Sequence, residues 1–207
     1  ETLFSSPFVL SSPVTENELQ SIPWEDREDL TPQEKEAVAF YLEYSNEVQY
    51  YLRHPRELSG LEESPNFQAL VHHLDNIISR SSITPGNLVY RGVRADFSKR
   101  LLFLLSIDPA ECNDGFHSIT PQIIRDLGFT TFTTDAERLV SKKKDDSKIL
   151  FVHQTISSGN ALYIGGEDAE LLYPRAYPWM ATGFACSRRG RETTIFINLA
   201  SYHGGIT

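Results

Sequence analysis

Residues 161–175 read Ala-Leu-Tyr-Ile-Gly-Gly-Glu-Asp-Ala-Glu-Leu-Leu-Tyr-Pro-Arg. Residues 162–164 predict a short strand, the glycine pair after them predicts a turn, and a second apolar strand follows. Three acidic residues, Glu167, Asp168 and Glu170, crowd between the turn and that strand. Because side chains alternate faces on an extended chain, we expect Asp168 and Glu170 to point the same way. Carboxylates held together on one face indicate a functional site, because they repel each other. Taken alone, however, this stretch is explained as an acidic turn in solvent.

Composition and charge narrow the class of protein. The chain has 207 residues, 40% of them apolar and 23% charged, which suits one soluble globular domain with a sizeable core. Its net charge of −9 argues against a nucleic-acid partner, because phosphate binding requires a concentrated basic surface. No apolar run approaches the roughly 20 residues that span a bilayer. No close-spaced His and Cys pattern indicates a metal site, and Cys112 and Cys186 allow one disulfide that the sequence leaves undecided.

The amino-terminal part of the chain is predicted to be helical. Residues 1–28 are rich in Ser, Pro and acidic residues, and we interpret them as an extended arm. Thr-Pro-Gln-Glu at 31–34 combines a hydroxyl N-cap, a proline at the first helical position and a capping-box glutamate. The helix that begins there must end before Pro55. A second helix is predicted to open at Ser64 and Pro65.

From residue 87 onward the pattern becomes mostly extended. Besides the strand pair described above, strands are predicted at 87–94, 129–134, 148–155 and 193–199. Helices are predicted at 96–105, 120–128 and 135–144. Because strands outnumber helices without alternating with them, the chain is predicted to be α+β, with a mixed β-sheet core and the helices packed in front of it. We therefore predict a single domain over 29–207, with a helical part at 29–86 and a β-rich core at 87–207.

Three polar sets stand at predicted strand ends in a fixed order: Arg91, then Thr131 and Thr133, then Asp168 and Glu170. Each set has an ordinary explanation, since a strand-closing arginine is usually a surface cation and threonine is a good strand former. Together they resemble the toxin-type mono-ADP-ribosyltransferases, in which an arginine, a Ser-Thr-Ser triplet and a glutamate follow in this order. Three segments carry the resemblance: Leu-Val-Tyr-Arg-Gly at 88–92, Gly-Phe-Thr-Thr-Phe-Thr at 128–133 and Asp-Ala-Glu-Leu-Leu-Tyr-Pro-Arg at 168–175.

The resemblance extends from residue 88 to about residue 199 and carries expectations about fold and activity. It implies a two-sheet sandwich, with the amino-terminal helices beside a cleft that binds NAD. It implies that NAD is the substrate, that nicotinamide is released, and that ADP-ribose is transferred to a side chain of a host protein. A secreted bacterial effector or toxin delivered into host cytoplasm is the origin that it implies, and the absence of a methionine at Glu1 fits a removed leader. No metal is implied.

The chemistry of this reaction suggests a role for each residue. Nicotinamide departure leaves oxocarbenium character on the ribose, which the carboxylate of Glu170 would stabilise. The planar donor fork of Arg91 suits a diphosphate. Gly92 would let backbone groups approach the nicotinamide amide. Thr131 would orient Glu170 through its hydroxyl, and Thr133 completes the cofactor-binding set.

At the position expected to engage the acceptor, the sequence departs from the pattern of the family. Asp168 stands two residues before Glu170. The family that this chain resembles has a glutamate or glutamine at that position, and this side chain engages the acceptor. An aspartate reaches less far, so we expect an acceptor other than arginine, for example a hydroxyl side chain such as one on ubiquitin. Glu167 would take the place of Asp168 if the turn bulges. The loop at 136–146 would, by the same resemblance, lie over the phosphates of NAD.

Three rival functions stay open at this point. The same fold can cleave NAD with water as the acceptor, which makes it a glycohydrolase. The threonine and aspartate replacements can also mark an inactive module whose cleft binds a protein. A cysteine hydrolase would use Cys112 or Cys186 with one of three histidines, His117, His153 or His203, although neither cysteine lies in a recognisable nucleophile setting.

Overall fold

The computed structural model describes residues 19–20, 22–54, 65–112, 115–141, 147–156, 160–166, 169–189 and 191–202. Four α-helices lie within these residues: α1 (Pro32–Arg53), α2 (Pro65–Ser79), α3 (Ala95–Leu104) and α4 (Ala136–Ser141). Eight strands lie there too: β1 (Leu88–Gly92), β2 (Phe116–Ile124), β3 (Phe129–Thr133), β4 (Ser147–Gln154), β5 (Leu162–Gly165), β6 (Glu170–Arg175), β7 (Trp179–Arg189) and β8 (Glu192–Ser201). The predicted α+β class is confirmed.

Helix α1 begins where the local sequence predicts. The backbone N–H of Glu34 donates to Thr31 Oγ1 at 3.1 Å, and the backbone N–H of Thr31 donates to Glu34 Oε1 at 3.1 Å. This reciprocal pair satisfies two N–H groups that a helix start leaves without intrahelical partners. The helix ends at Arg53, ahead of Pro55, as predicted.

All eight strands join in one hydrogen-bonded order, β2-β7-β8-β4-β1-β3-β6-β5. Strands β4 and β8 are parallel, and the other neighbours are antiparallel. The joint between β1 and β3 is narrow, because a single residue pair, Tyr90 with Thr133, connects them. The expected two sheets are therefore a five-stranded part and a three-stranded part that meet at this joint.

The three-stranded part is buried on both faces, which explains its continuous apolar sequence. On β6, Leu171 and Tyr173 pack in the core shared with the five-stranded part, whereas Leu172 packs against α1 and α2. A third cluster covers the far face of the five-stranded part, where α4 packs on β1 and β4. The layers are thus the helix pair, the small sheet, the large sheet and α4.

The predicted helix at 120–128 is wrong, because residues 116–124 form the edge strand β2. Thr120 and Pro121 lie where the pairing of β2 with β7 shifts register, between Ser118 and Gln122. An edge strand tolerates proline at such an irregularity, since no ladder hydrogen bond is lost to a neighbour. The Thr-Pro pair therefore carries a helix-start signal that the tertiary pairing overrides.

Three described residues of the predicted arm at 1–28 are buried against the rest of the protein: Leu19, Gln20 and Trp24. Leu19 is fully buried, and its carbonyl accepts from the backbone N–H of Thr84 at 2.7 Å. The side-chain amide of Gln20 donates to the carbonyl of Tyr163 at 3.1 Å. Trp24 is buried as well and starts a short 3₁₀ turn, Trp24–Asp26. These contacts hold the chain that precedes α1 against the helix layer and the small sheet.

None of the helices within the described residues is long and apolar enough to cross a membrane.

Candidate active site

One cleft of about 370 Å³ brings together five residues that the sequence singles out. They are Arg91, Gly92, Thr131, Thr133 and Glu170. These residues come from three strands that are separated by about 40 positions each along the chain, so only the sheet makes them neighbours. Glu167 and Asp168 lie outside the described residues.

The strand register explains why the site forms at this place. Tyr90 pairs with Thr133, and Thr133 pairs with Glu170. The carboxyl ends of β1 and β3 and the first residue of β6 therefore lie side by side at the joint of the two sheet parts. Directly opposed residues of neighbouring strands point to the same face. Arg91 and Gly92 follow Tyr90 immediately and border the same cleft.

The threonine strand is oriented as its alternation predicts, with a consequence for the glutamate. Thr130 Oγ1 accepts from the indole Nε1 of Trp179 at 3.1 Å and so faces the core between the sheet parts. Thr131 pairs with Leu172 and Thr133 pairs with Glu170, so both face α1. Thr133 is thus the direct cross-strand neighbour of Glu170, and Thr131 is its diagonal neighbour.

The expected alternation requires an extended backbone at Ala169, but the backbone there is not extended. Ala169 has a φ of 48°, in the left-handed region, and β6 begins only at Glu170. A residue in that conformation is not extended, so the rule that residues two apart share a face does not apply across it. The predicted glycine turn is present, with φ values of 71° at Gly165 and 76° at Gly166.

A shared carboxylate, Asp126, clamps two arginines at the edge of the cleft. Its Oδ1 and Oδ2 each accept from Arg53, at 2.8 Å from Nε and Nη2, and Oδ2 also accepts from Arg91 Nη2 at 2.5 Å. The backbone N–H of Gly128 donates to Oδ1 at 2.9 Å. Burial by itself would raise the pKa of Asp126, but the Arg53 hydrogen bond and the charges of both arginines outweigh it and hold the pKa below the ordinary value.

Within the described part of the chain, one nitrogen of the Arg91 guanidinium has no hydrogen-bond partner after this contact. This atom, Nη1, is buried. A buried guanidinium N–H without a partner is costly unless a ligand or water satisfies it. The donor chemistry of Arg91 therefore fits an anionic group bound in the cleft.

The cleft is locally basic in an acidic protein. Its charged lining residues within the described part of the chain are four arginines and one glutamate: Arg53, Arg91, Arg94, Arg138 and Glu170. The whole chain carries a net charge of −9. Such a local concentration of arginines attracts a polyanion, and a diphosphate matches their planar donor forks.

Helix α1 is fixed on the small sheet by Gln49 and Gly128. The Gln49 side-chain amide donates to the carbonyl of Phe129 at 2.8 Å and accepts from its backbone N–H at 2.9 Å. A Cβ atom at Gly128 would stand 2.2 Å from Gln49 Oε1, so glycine is required by this close approach. The Gln49 Nε2 atom also donates to the hydroxyl of Tyr41 at 3.0 Å. Burial raises the pKa of Tyr41, and the nearby negative charge of Glu170 raises it further.

Arg53, Asp126 and Arg138 were missed by the sequence reasoning. Arg53 is the last residue of α1, and Asp126 lies 73 residues later, two positions before Gly128. Only their contact reveals a role, because each reads alone as an ordinary charged residue at the end of an element. Arg138 falls in the loop at 136–146 that was expected over the phosphates, so proximity to that loop was an available signal.

A disulfide joins Cys112 to Cys186, with their Cα atoms 5.7 Å apart. Neither sulfur is a thiol, so the cysteine hydrolase alternative is wrong, because nucleophilic attack requires a thiolate. No group of three or more His, Cys, Asp or Glu side chains that could hold a metal occurs in the described ranges.

Comparisons with known proteins identify the family of the chain. Residues 20–198 match the family model of the ADP-ribosyltransferase exoenzymes. No curated protein sequence matches the chain. Among solved structures, C3larvin toxin, an ADP-ribosyltransferase from Paenibacillus larvae, is similar at a TM-score of 0.60 and 19% identity, over 93% of this chain and 96% of that one. C3stau2 from S. aureus, solved with NAD, is similar at a TM-score of 0.57 and 20% identity, over 84% and 89% of the two chains.

The chain therefore belongs to the ADP-ribosyltransferase exoenzyme family. Its fold is that of the toxin-type mono-ADP-ribosyltransferases, enzymes that use NAD. The expected family is confirmed, and it is a family that uses NAD.

Proposed function

We propose that the protein transfers ADP-ribose from NAD to a side chain of a host protein and releases nicotinamide. The observation that carries this proposal is the cleft in which Glu170 stands beside an arginine cluster that is contributed by α1, β1 and the chain around α4. A carboxylate next to a diphosphate-binding surface is what the cleavage of a nicotinamide riboside requires.

Glu170 is the proposed catalytic residue. The bond between ribose C1′ and the nicotinamide nitrogen breaks, and its electron pair leaves with neutral nicotinamide. Positive charge then develops on the ribose, and the Glu170 carboxylate stabilises it electrostatically and accepts a hydrogen bond from the ribose 2′-hydroxyl. The acceptor side chain forms the new bond to C1′ and loses its proton.

Binding of NAD is assigned to the residues around Glu170. Arg91 contacts the diphosphate with its unpartnered Nη1 donor, while its Nη2 donor is held by Asp126. Gly92 lets the nicotinamide amide approach the backbone. Thr131 and Thr133 face the same side as Glu170 and orient it, with Thr133 directly opposite.

The acceptor is proposed to be a residue other than arginine, with a hydroxyl side chain as the leading class and ubiquitin as one example. Support comes from the short side chain of Asp168 at the position that engages the acceptor, with Glu167 as its substitute. Secretion is supported by the Cys112–Cys186 disulfide, since such bonds persist in oxidising compartments outside the cytosol. Delivery into host cytoplasm is proposed from the resemblance to secreted toxins alone.

The test incubates the protein with labelled NAD and a eukaryotic cell lysate, and it reads protein-bound label and free nicotinamide in parallel. Glu170→Gln should abolish both signals while NAD affinity is largely retained, because charge is lost and shape is kept. Glu111→Gln, at an exposed glutamate outside the cleft, is the matched control and should behave as wild type.

Each outcome of this experiment discriminates. Label on a discrete protein with wild type supports the transferase and supplies the acceptor for mapping. Release of nicotinamide without bound label assigns the glycohydrolase reaction instead. Full turnover by Glu170→Gln removes Glu170 from the mechanism, and absence of both signals with wild type indicates an inactive binding module.

A further inference from the structure

An apolar groove of about 700 Å³ lies between α1 and α2, and it is larger than the cleft described above. Its wall on α1 extends from Gln33 to Tyr51, and its wall on α2 extends from Asn66 to His73. No residue lines both the groove and the cleft among those described. Nothing in the proposed transfer reaction uses this groove.

Aromatic side chains line the groove and are open to solvent. Phe40 and Tyr44 stand one helical turn apart on α1, and their ring centroids are 4.7 Å apart. Phe40 is 46% exposed and Tyr44 is 40% exposed, whereas large apolar side chains on one face of a helix are usually covered. At the other end, the rings of Tyr51 and Phe67 meet edge to face at 5.8 Å and connect the two helices.

The charge around these aromatic residues has one sign. The described residues that line the groove include two charged side chains, Glu36 and Glu47, and both are exposed. Glu43 is exposed between them on the same helix. An apolar groove with a carboxylate rim is complementary to apolar side chains flanked by lysine or arginine.

We propose that this groove docks an amphipathic helix of a partner protein, with apolar side chains on one face and basic residues beside them. The α1 wall has 19 residues from Gln33 to Tyr51 and is kinked at Tyr44, where φ is −120° and ψ is 31°. Its length is therefore at most about 27 Å, and it accommodates a partner helix no longer than that. A second copy of this chain would bring two acidic rims together, and an anionic membrane would meet the same repulsion.

The groove lies close to the cleft, which suggests that its partner is the protein that accepts ADP-ribose. Tyr51 lines the groove and Arg53 lines the cleft, and both belong to the last turn of α1. Residues two positions apart on a helix are separated by about 200° around its axis. The groove and the cleft therefore lie on opposite sides of α1, and a helix is only about 10 Å wide. If the proposed transfer holds, a partner in the groove is held next to the cleft, as a protein acceptor must be.

The test measures peptide binding by the full chain with fluorescence anisotropy. The probe is a labelled 18-residue helical peptide with leucines at positions i, i+3, i+4 and i+7 and lysines elsewhere, and the comparison peptide carries glutamates in place of the lysines. We expect the lysine peptide to bind. Phe40→Ser should weaken it about tenfold, as loss of an aromatic anchor does. Glu36→Gln combined with Glu47→Gln should weaken it and reduce its salt dependence.

Phe103→Ser is the matched control, because Phe103 is an aromatic residue on α3 that is 84% exposed and lies outside the groove. It should leave peptide affinity unchanged. Equal binding of both peptides, no binding of the lysine peptide, or equal effects of Phe40→Ser and Phe103→Ser would overturn the proposal. Sedimentation that shows a dimer broken by Phe40→Ser would assign the groove to a second copy and overturn it as well.

The failure of this inference is distinguishable from failure of the proposed function. Phe40→Ser should leave cleavage of NAD by water unchanged, since Phe40 does not line the cleft. Failure of the wild-type protein to bind the lysine peptide, with normal NAD turnover, counts against the groove alone. Peptide binding without NAD turnover counts against the transferase alone.

Discussion

Asp126→Asn is the perturbation that tests the arginine clamp most directly. Asparagine keeps the shape of the side chain, but it removes the charge and one acceptor oxygen. The native carboxylate accepts two hydrogen bonds from Arg53, one from Arg91 and one from the backbone N–H of Gly128. In the variant the new amide N–H₂ group faces a guanidinium that also only donates, so at least one of these contacts becomes repulsive.

The expected loss follows from the burial of the clamp. The side chains of Asp126 and Arg91 are 18% and 21% exposed, and that of Arg53 is 36% exposed. Removal of one partner from a buried ion pair costs about 3–5 kcal/mol. Because this cluster is partly solvated, we expect the lower end, a loss of about 3 kcal/mol in the free energy of unfolding at pH 7. For a domain of this size, that lowers Tm by about 6–12 °C.

The pH dependence of this loss has a definite sign. The pKa of Asp126 is held below its ordinary value in the folded protein, so its ionised form stabilises the fold above the unfolded pKa of about 3.8–3.9. As the pH falls through the lower, folded-state pKa, wild type loses that stabilisation, while the asparagine variant has none to lose. The difference between the two proteins should therefore shrink below about pH 4.

Urea unfolding at pH 7 and at several values between 5 and 3 measures both effects. Asp96→Asn is the matched control, since Asp96 pairs with Arg94 at 3.1 Å and their side chains are 69% and 84% exposed. An exposed pair of this kind contributes about 0–1 kcal/mol. Equal losses for the two variants, or a loss for Asp126→Asn that stays constant down to pH 3, would refute the reasoning.

Three further changes probe the core. Burial lowers the pKa of His153 to about 4, so below pH 6.5 the unfolded chain binds a proton that the folded protein does not. Wild type should therefore lose up to about 3 kcal/mol of stability as the pH falls from 6.5 to 4. His153→Gln should unfold in urea with a flatter pH profile, and parallel profiles would contradict this. Replacement of both Cys112 and Cys186 by alanine opens a loop of 74 residues and should lower the free energy of unfolding by up to about 4 kcal/mol, which an unchanged urea midpoint would disprove. Gly128→Ala should displace the Gln49 amide from Phe129 and cost about 1–3 kcal/mol by thermal unfolding, and a variant as stable as wild type would show that Gln49 adapts freely.

Local chemistry in the sequence was sufficient where an element depends on adjacent residues. The capping box at Thr31 and Glu34 closes within four positions, and the glycine turn before Glu170 requires only the positive φ values that glycine tolerates. The Thr-Pro pair at 120 and 121 shows the limit of such signals. Its helix-start chemistry is real, but the backbone of this segment pairs with β7 instead, and the segment becomes an edge strand.

The candidate site divides in the same way. Arg91, Thr131, Thr133 and Glu170 could be named because each lies in a recognisable strand, in an order that resembles a family. Arg53 and Asp126 could not be named, because an ion pair between residues 73 positions apart leaves no local pattern in either segment. Charged residues at element ends are common, and only their distance in the fold distinguishes a clamp from a surface cation.

By itself, the sequence determined the α+β class, the start of α1 and the strands that carry the polar residues, since these depend on hydrogen bonds and side-chain periods within a few positions. The tertiary structure alone decided that Thr133 rather than Thr131 stands opposite Glu170, that Asp126 joins α1 to β1, and that Cys112 pairs with Cys186. Strand register and long-range ion pairs depend on how whole layers pack, because a contact between distant segments is selected by the free energy of the assembled core and not by either segment alone.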